Sequence, residues 1–484
     1  MARNKIFFLT LLSYATILII FINLTTIHSP LIGAIASVMY FLVNATVLGR
    51  FFFEKEHVFF RLIFGNLLFI MLLGLVSWAV MVIYNLDIVR SVIALCIAAT
   101  LSSFLGLKTK HVQWDLRFRT CIQWRTPTRL GIVRLLYLCM IGLLFYLLFV
   151  SRSGEVHTVW EFIHPAFIPM LFATTFLLLA VIYSTEKVEY KLLSIVFYSI
   201  LIHTFFVIIF PAGDVGGQQL ILSDTRLVFD NAFFHGLRWP QVNIFLQIFS
   251  VLRGKNFQSA ISVTLARMVG IDVYWSHSLL IPLLWGVLVP TAAFKITKTL
   301  TGSTNVSVLS SLLISSFTPI IYWGSISVPN SLGYIFFFCS LFFILKYLSS
   351  DEPKVSFLMV TFCLIALLSH FLAGIISFSL LFLAIAIREY EEEKGRSPVT
   401  TRILLLSSFI FCMSLLPLSL PYLRIFYPLN SFQTHFGFDK LYGLSAEKII
   451  ELFMIGEYVN FRVRSVLFYG LGPLLGLLGI IYYL

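Results

Sequence analysis

Apolar runs long enough to cross a bilayer recur along almost the whole chain, and no other feature constrains its fold as strongly. A transmembrane helix needs about 20 consecutive, mostly apolar residues. Runs of that order lie near 6–26, 31–49, 63–84, 91–107, 132–150, 165–184, 191–210, 277–296, 305–323, 331–349, 355–370, 373–387, 403–423 and 466–484. Charged residues make up only 12% of the 484, too few to solvate a globular surface of that size, which excludes a soluble protein. Barrel strands alternate apolar and polar positions, whereas 135–150 and 357–368 are apolar on nearly every face, which excludes a transmembrane β-barrel. The predicted fold is an all-α, polytopic transmembrane helical bundle of about 14 spans, with short interfacial helices on its outer face.

Charge orients this bundle. With the N-terminus cytoplasmic, 22 of the 34 Lys and Arg residues fall in short inside segments and only Arg90 and Arg152 in short outside ones. The remaining ten lie in two long outside loops, 211–276 and 424–465, which weigh little in the positive-inside rule. The net charge of +12 is therefore a matter of topology, and no nucleic-acid partner is expected. The first apolar run is too long for a cleaved signal peptide and reads as the first span. The six cysteines have neither metal nor disulfide spacing. An integral multi-pass protein is expected, in the cell membrane, with its active face outside.

A boundary is expected near residue 185. It separates an N-terminal six-span block, 1–185, from a second block, 186–484, that carries both long outer loops. The last residues, 476–484, stop inside an apolar run, as in a chain truncated at its C-terminus. No internal repeat is evident.

Walker, HExxH, GxSxG and dinucleotide-binding motifs are absent, so the candidate chemistry lies at the outer face. The stretch 211–219, PAGDVGGQQ, follows directly on an apolar span and sets Asp214 at headgroup depth. A carboxylate there can serve as general base or metal ligand; it can equally cap a helix predicted over 215–236. Residues 242–252 have helical apolar spacing and a basic end, and read as a helix lying along the interface. His370 sits where two apolar stretches meet, as a candidate ligand group or a helix-packing hydrogen bonder. Arg424, Arg462 and Arg464 can bind phosphate or snorkel to headgroups.

Taken in order, PAGDVGGQQ (211–219), LLIPLLWGVLVPTAAFKITKTLTGS (279–303), YWGSISVPNSLGYIFFF (322–338) and LLSHFLAGIISF (367–378) resemble the GT-C class of membrane glycosyltransferases over about 190–425. The resemblance implies a polyprenyl-phosphate sugar as donor and a glycan, lipid or protein as acceptor. It assigns Asp214 as the catalytic residue that activates the acceptor, with a divalent metal as an optional cofactor. Arg226 and Arg424 become candidate groups for the donor phosphate, His370 a hydrogen-bond donor, and Asp224 a further substrate-binding candidate or a helix-face residue. The rival expectation is a transporter, or a lipid or polysaccharide flippase, without covalent chemistry. It would need charged or helix-breaking residues at mid-membrane depth, for which Pro282, Pro290, Pro417 and Pro421 are the candidates.

Overall fold

The structure, a computed structural model, describes residues 2–84, 86–107, 129–152, 162–210, 216–230, 254–350 and 352–394. These form fifteen α-helices and no strand. In chain order they are α1 (Ala2–Ile22), extended by a π-helical turn (Asn23–Ile27), α2 (Pro30–Phe52), α3 (Val58–Ile83), α4 (Ile88–Leu107), α5 (Arg129–Val150), α6 (Phe167–Tyr183), α7 (Val188–Ile209), α8 (Gly216–Phe229), α9 (Gly254–Val269), α10 (Val273–Thr301), α11 (Thr304–Ser315), α12 (Thr318–Ser325), α13 (Pro329–Tyr347), α14 (Pro353–Ser369) and α15 (Phe371–Lys394). Nine of these are long and apolar enough to cross a membrane, and α6, α11 and α14 are apolar but shorter. The expected spans 403–423 and 466–484, and the interfacial helix at 242–252, lie outside the described residues. The chain divides into a unit Met1–Leu381 and a unit Phe382–Leu484.

Local chemistry sets the helix ends. Ser29 caps α2 by accepting from Ile32 N, Asp272 caps α10 by accepting from Tyr274 N, and proline opens α2, α13 and α14, where its missing N–H is not needed. Gly302 ends α10 in the left-handed region (φ 69°), as a C-terminal glycine commonly does. Two expectations need correction. The span 305–323 is two helices, broken at Ser316–Phe317 just before Pro319 in the first turn of α12. Pro282 and Pro290 break nothing: both lie inside the continuous α10. In membrane helices neighbouring groups can satisfy backbone that proline frees.

Contacts sort the helix ends into two sets. At one end, the 53–57 turn between α2 and α3 meets the C-terminal parts of α10 and α13 and the start of α14. There Glu56 bridges Lys295 and Lys346, and Lys55 pairs with Glu352. At the opposite end the start of α2 touches the end of α9, where a Cβ on Gly33 would lie 2.0 Å from the Val269 carbonyl oxygen. Arg226 of α8 there meets Asp272 at the start of α10.

The interior differs between these ends. Toward the Glu56 end, stacked phenylalanines knit α3, α13 and α14: Phe64 on Phe342 at 5.5 Å and Phe343 on Phe362 at 4.9 Å. Phe60 of α3 stacks on Phe294 of α10 at 5.6 Å. Toward the opposite end, side-chain hydrogen bonds join the rings, and that half holds the candidate site.

Candidate functional site

The polar half is organised by α9. Every described side chain from Asn256 to Met268 is buried except Leu265, so Gln258, Ser259, Ser262, Thr264 and Arg267 are enclosed along with Phe257, Ile261 and Val263. Glycines make room for the helix. A Cβ on Gly74 of α3 would stand 2.7 Å from the Ile261 side chain, just as one on Gly33 would strike the Val269 carbonyl. Gly74 is nine residues from the end of α3, about 14 Å along the helix axis at 1.5 Å per residue. Thus the described part of α9 reaches from the surface of the bundle at Val269 to mid-depth at Ile261. Gly270 closes it in the left-handed region (φ 77°), its N–H donating to the Ala266 carbonyl at 2.8 Å.

Enclosed polar groups need partners, and α9 finds them on four neighbours. Thr264 donates to Ser77 of α3 at 2.9 Å, and Ser259 pairs with Thr225 of α8 at 2.8 Å. On α10, Ser276 donates to the Ser262 carbonyl at 2.6 Å, and His277 Nδ1 lies 3.4 Å from Ser262 Oγ. Gln258 Nε2 donates to Ser327 Oγ at 3.1 Å, and Ser327 in turn donates to the His277 carbonyl.

A ring cluster adjoins this network. Trp285 of α10 donates Nε1–H to the Ser331 carbonyl at 2.9 Å and stands 6.1 Å from the fully buried His203 of α7. Gly324 of α12 makes the close approach possible, since a Cβ there would lie 1.9 Å from His203 Cδ2. Trp323 and Tyr334 meet edge-on at 5.5 Å, and Tyr334 meets His370 at 6.0 Å. The stretch YWGSISVPNSLGY thus supplies contacts to both the ring cluster and the α9 network.

The sequence-derived candidates fall as follows. Asp214 and Arg424 lie outside the described residues, as do Arg462 and Arg464; the residues flanking Asp214 are the buried Phe210 at the end of α7 and Gly216 at the start of α8. Asp224 and Arg226 both lie on α8, which spans Gly216–Phe229 within the helix expected over 215–236. Arg226 is held by two carboxylates, Asp230 at 3.2 Å and Asp272. His370 forms the corner between α14 and α15. Its N–H donates to the Ala366 carbonyl at 2.8 Å, and its Nδ1 accepts from Ala373 N at 3.4 Å. A Cβ on Gly333 would lie 2.4 Å from His370 Cβ. Structurally, then, Arg226 belongs to the α8–α10 junction and His370 to the ring cluster.

Sequence reasoning missed α9 with Gln258, Ser262 and His277. Its GKNFQSAISVTLARMV carries no apolar run, and only the alternation of small polar residues with Phe257, Ile261 and Val263 hints at a helix packed on all sides. Among the described residues no group of three or more His, Cys, Asp and Glu could hold a metal ion. No family model, curated protein or solved structure matches the chain.

Proposed function

We propose that the chain is a membrane glycosyltransferase-like enzyme moving a hexosyl or pentosyl unit from a polyprenyl-phosphate donor to a glycan, lipid or protein acceptor. The reaction takes place at the α8–α9 end of the bundle, which faces outside the cell membrane. The observation that carries this reading is the polar half built around α9. Sugar handled at lipid depth needs uncharged hydrogen-bonding groups and aromatic rings sheltered from the hydrocarbon, and Gln258, Ser327, His277, Trp285 and Trp323 gather there. The Asp214 stretch begins where α7 ends beside this half. The excess of basic residues in short segments at the other end supports the orientation.

In the proposed step the acceptor hydroxyl gives its proton to the Asp214 carboxylate while its oxygen bonds to the anomeric carbon. The bond from that carbon to the phosphate oxygen breaks, and the lipid phosphate leaves with the electron pair. Arg226 and Arg424 are the cations for that phosphate. For Arg226 this means exchanging Asp230 or Asp272 for the donor. His370 is a hydrogen-bond donor to the sugar, and a divalent metal at Asp214 is an optional addition.

The test is release of polyprenyl phosphate and glycosylated product by reconstituted protein across a donor panel. Asp214→Asn is expected to lower transfer at least ~10²-fold, the scale of lost general-base help, and Asp224→Asn far less. Undiminished transfer by the Asp214 variant removes the assignment. A second reading, a transporter or flippase, draws on the broken α11–α12 pair, since interrupted helices line substrate paths. Substrate movement across vesicles without bond cleavage favours it.

A further inference from the structure

Gln258 and His277 meet at Ser327, with Ser331 four residues further along the chain, and each of the three carries a buried polar atom without a hydrogen bond of good geometry. Ser327 Oγ has one proton and gives it to the His277 carbonyl, so it can only accept from Gln258. That fixes the Gln258 amide with Nε2 toward Ser327 and Oε1 away from it, where Oε1 has no hydrogen-bond partner. His277 Nε2, beside the Ser327 backbone, likewise lacks a hydrogen bond of good geometry, and so does Ser331 Oγ in the first turn of α13. All three side chains are fully buried.

We propose that these three residues form a subsite for an uncharged, hydroxyl-rich group such as a sugar ring, closed in this conformer by α9. The proposal deepens the transfer reading by naming what the polar half holds. Its chemistry follows from the atoms. An amide oxygen, a ring nitrogen and a hydroxyl together accept and donate, as neighbouring hydroxyls of a sugar do in return. No charged side chain belongs to the set, so a phosphate or ammonium group would enter without a counter-charge and is disfavoured. An alkyl chain would leave all three atoms unsatisfied. Access requires α9 to shift. Its closest backbone seats on α2 and α3 are glycines, Gly33 and Gly74, and the shift also breaks the Thr264–Ser77 hydrogen bond.

The test uses the full chain in lipid nanodiscs, with every cysteine but Cys339 replaced by Ala and Ser331→Cys added. Cys339, fully buried two turns further along the same helix, is the internal standard. A small hydrophilic thiol reagent is expected to modify the cysteine at 331 at least about tenfold faster than Cys339, as a local opening allows. Octyl β-glucoside below its micelle concentration is expected to slow that modification at least about threefold by occupying the subsite, whereas octyl phosphocholine does not. Gln258→Met, checked for native elution and helicity, is expected to keep the reactivity and lose the protection. Reactivity at 331 equal to that of Cys339, or equal protection by both amphiphiles, or protection that survives Gln258→Met, overturns the proposal. Protection without sugar transfer on any donor keeps the subsite and sinks the transferase reading; transfer without protection does the reverse.

Discussion

Thr264 donates to Ser77 at 2.9 Å across 187 residues of sequence, tying the polar helix α9 to the long apolar helix α3. Both side chains are fully buried. Interhelical side-chain hydrogen bonds in membranes are worth about 0.6 kcal/mol on average and at most ~1.7. A double-mutant cycle with Ser77→Ala and Thr264→Val, read by unfolding in mixed micelles, is expected to return a coupling in that range. Zero coupling would show that the two hydroxyls do not hold α9 against α3.

Glu56 gives a second prediction. Burial alone would raise its carboxyl, but the Lys295 and Lys346 ammonium groups outweigh that and hold it below the ordinary glutamate value. Replacement by Gln leaves two lysines together without their counter-charge and is expected to cost about 1–3 kcal/mol, less than a fully buried pair because all three groups keep some solvent contact. A carboxyl lowered by folding contributes stability that is complete above its unfolded pKa and lost as the pH falls through the folded one. Wild-type stability should therefore fall on acidification below the usual glutamate range, and the Glu56→Gln variant should lack that component. Parallel acid titrations of the two proteins that superimpose would refute it.

Two glycine substitutions should act in opposite directions. Gly33→Ala drives a Cβ into the Val269 carbonyl, a backbone atom that cannot swing aside, and is expected to cost about 2–4 kcal/mol. Gly142 on α5 has nothing within 4 Å of an added Cβ, so Gly142→Ala should leave stability unchanged or raise it by up to about 1 kcal/mol through helix propensity. Comparable losses in both would mean that α2 and α9 are not in backbone contact.

Orientation can be read in intact cells. A cysteine placed at Gln219, in a background without other reactive thiols, is expected to react with an impermeant maleimide before permeabilisation. The native Cys121, in the basic segment 108–129, should react only afterwards. The reverse pattern would invert the bundle and move the α8–α9 end to the cytoplasm.

Hydropathy made twelve of the helical segments legible, because lipid-facing helices must be apolar along a length fixed by the bilayer. The exceptions have physical causes. Pro319 was a readable signal for a helix start, yet the run 305–323 looks continuous because hydropathy ignores proline's backbone effect. Pro282 and Pro290 mislead the other way, since packing can supply what a proline removes. α9 was invisible for a deeper reason. Its burial depends on Ser77, Thr225, Ser276 and Ser327, partners from distant segments that no local window contains. At the site, the sequence pointed to the YWGSISVPNS stretch and to His370, which the ring cluster unites, whereas the hydrogen bonds that occupy Arg226 emerge only from the meeting of α8 with α10.

The enclosure of α9 also bears on the order in which the chain can be built. A helix carrying Asn256, Gln258, Ser262, Thr264 and Arg267 gains nothing from entering lipid by itself. Its hydrogen-bond partners on α10 and at Ser327 are synthesised after it. Although Ser77 and Thr225 precede it, the segment is expected to be fully enclosed only after α10 and Ser327 have been made. Residues 254–269 are therefore the part of the molecule expected to lack hydrogen-bond partners in a nascent chain stalled before residue 327.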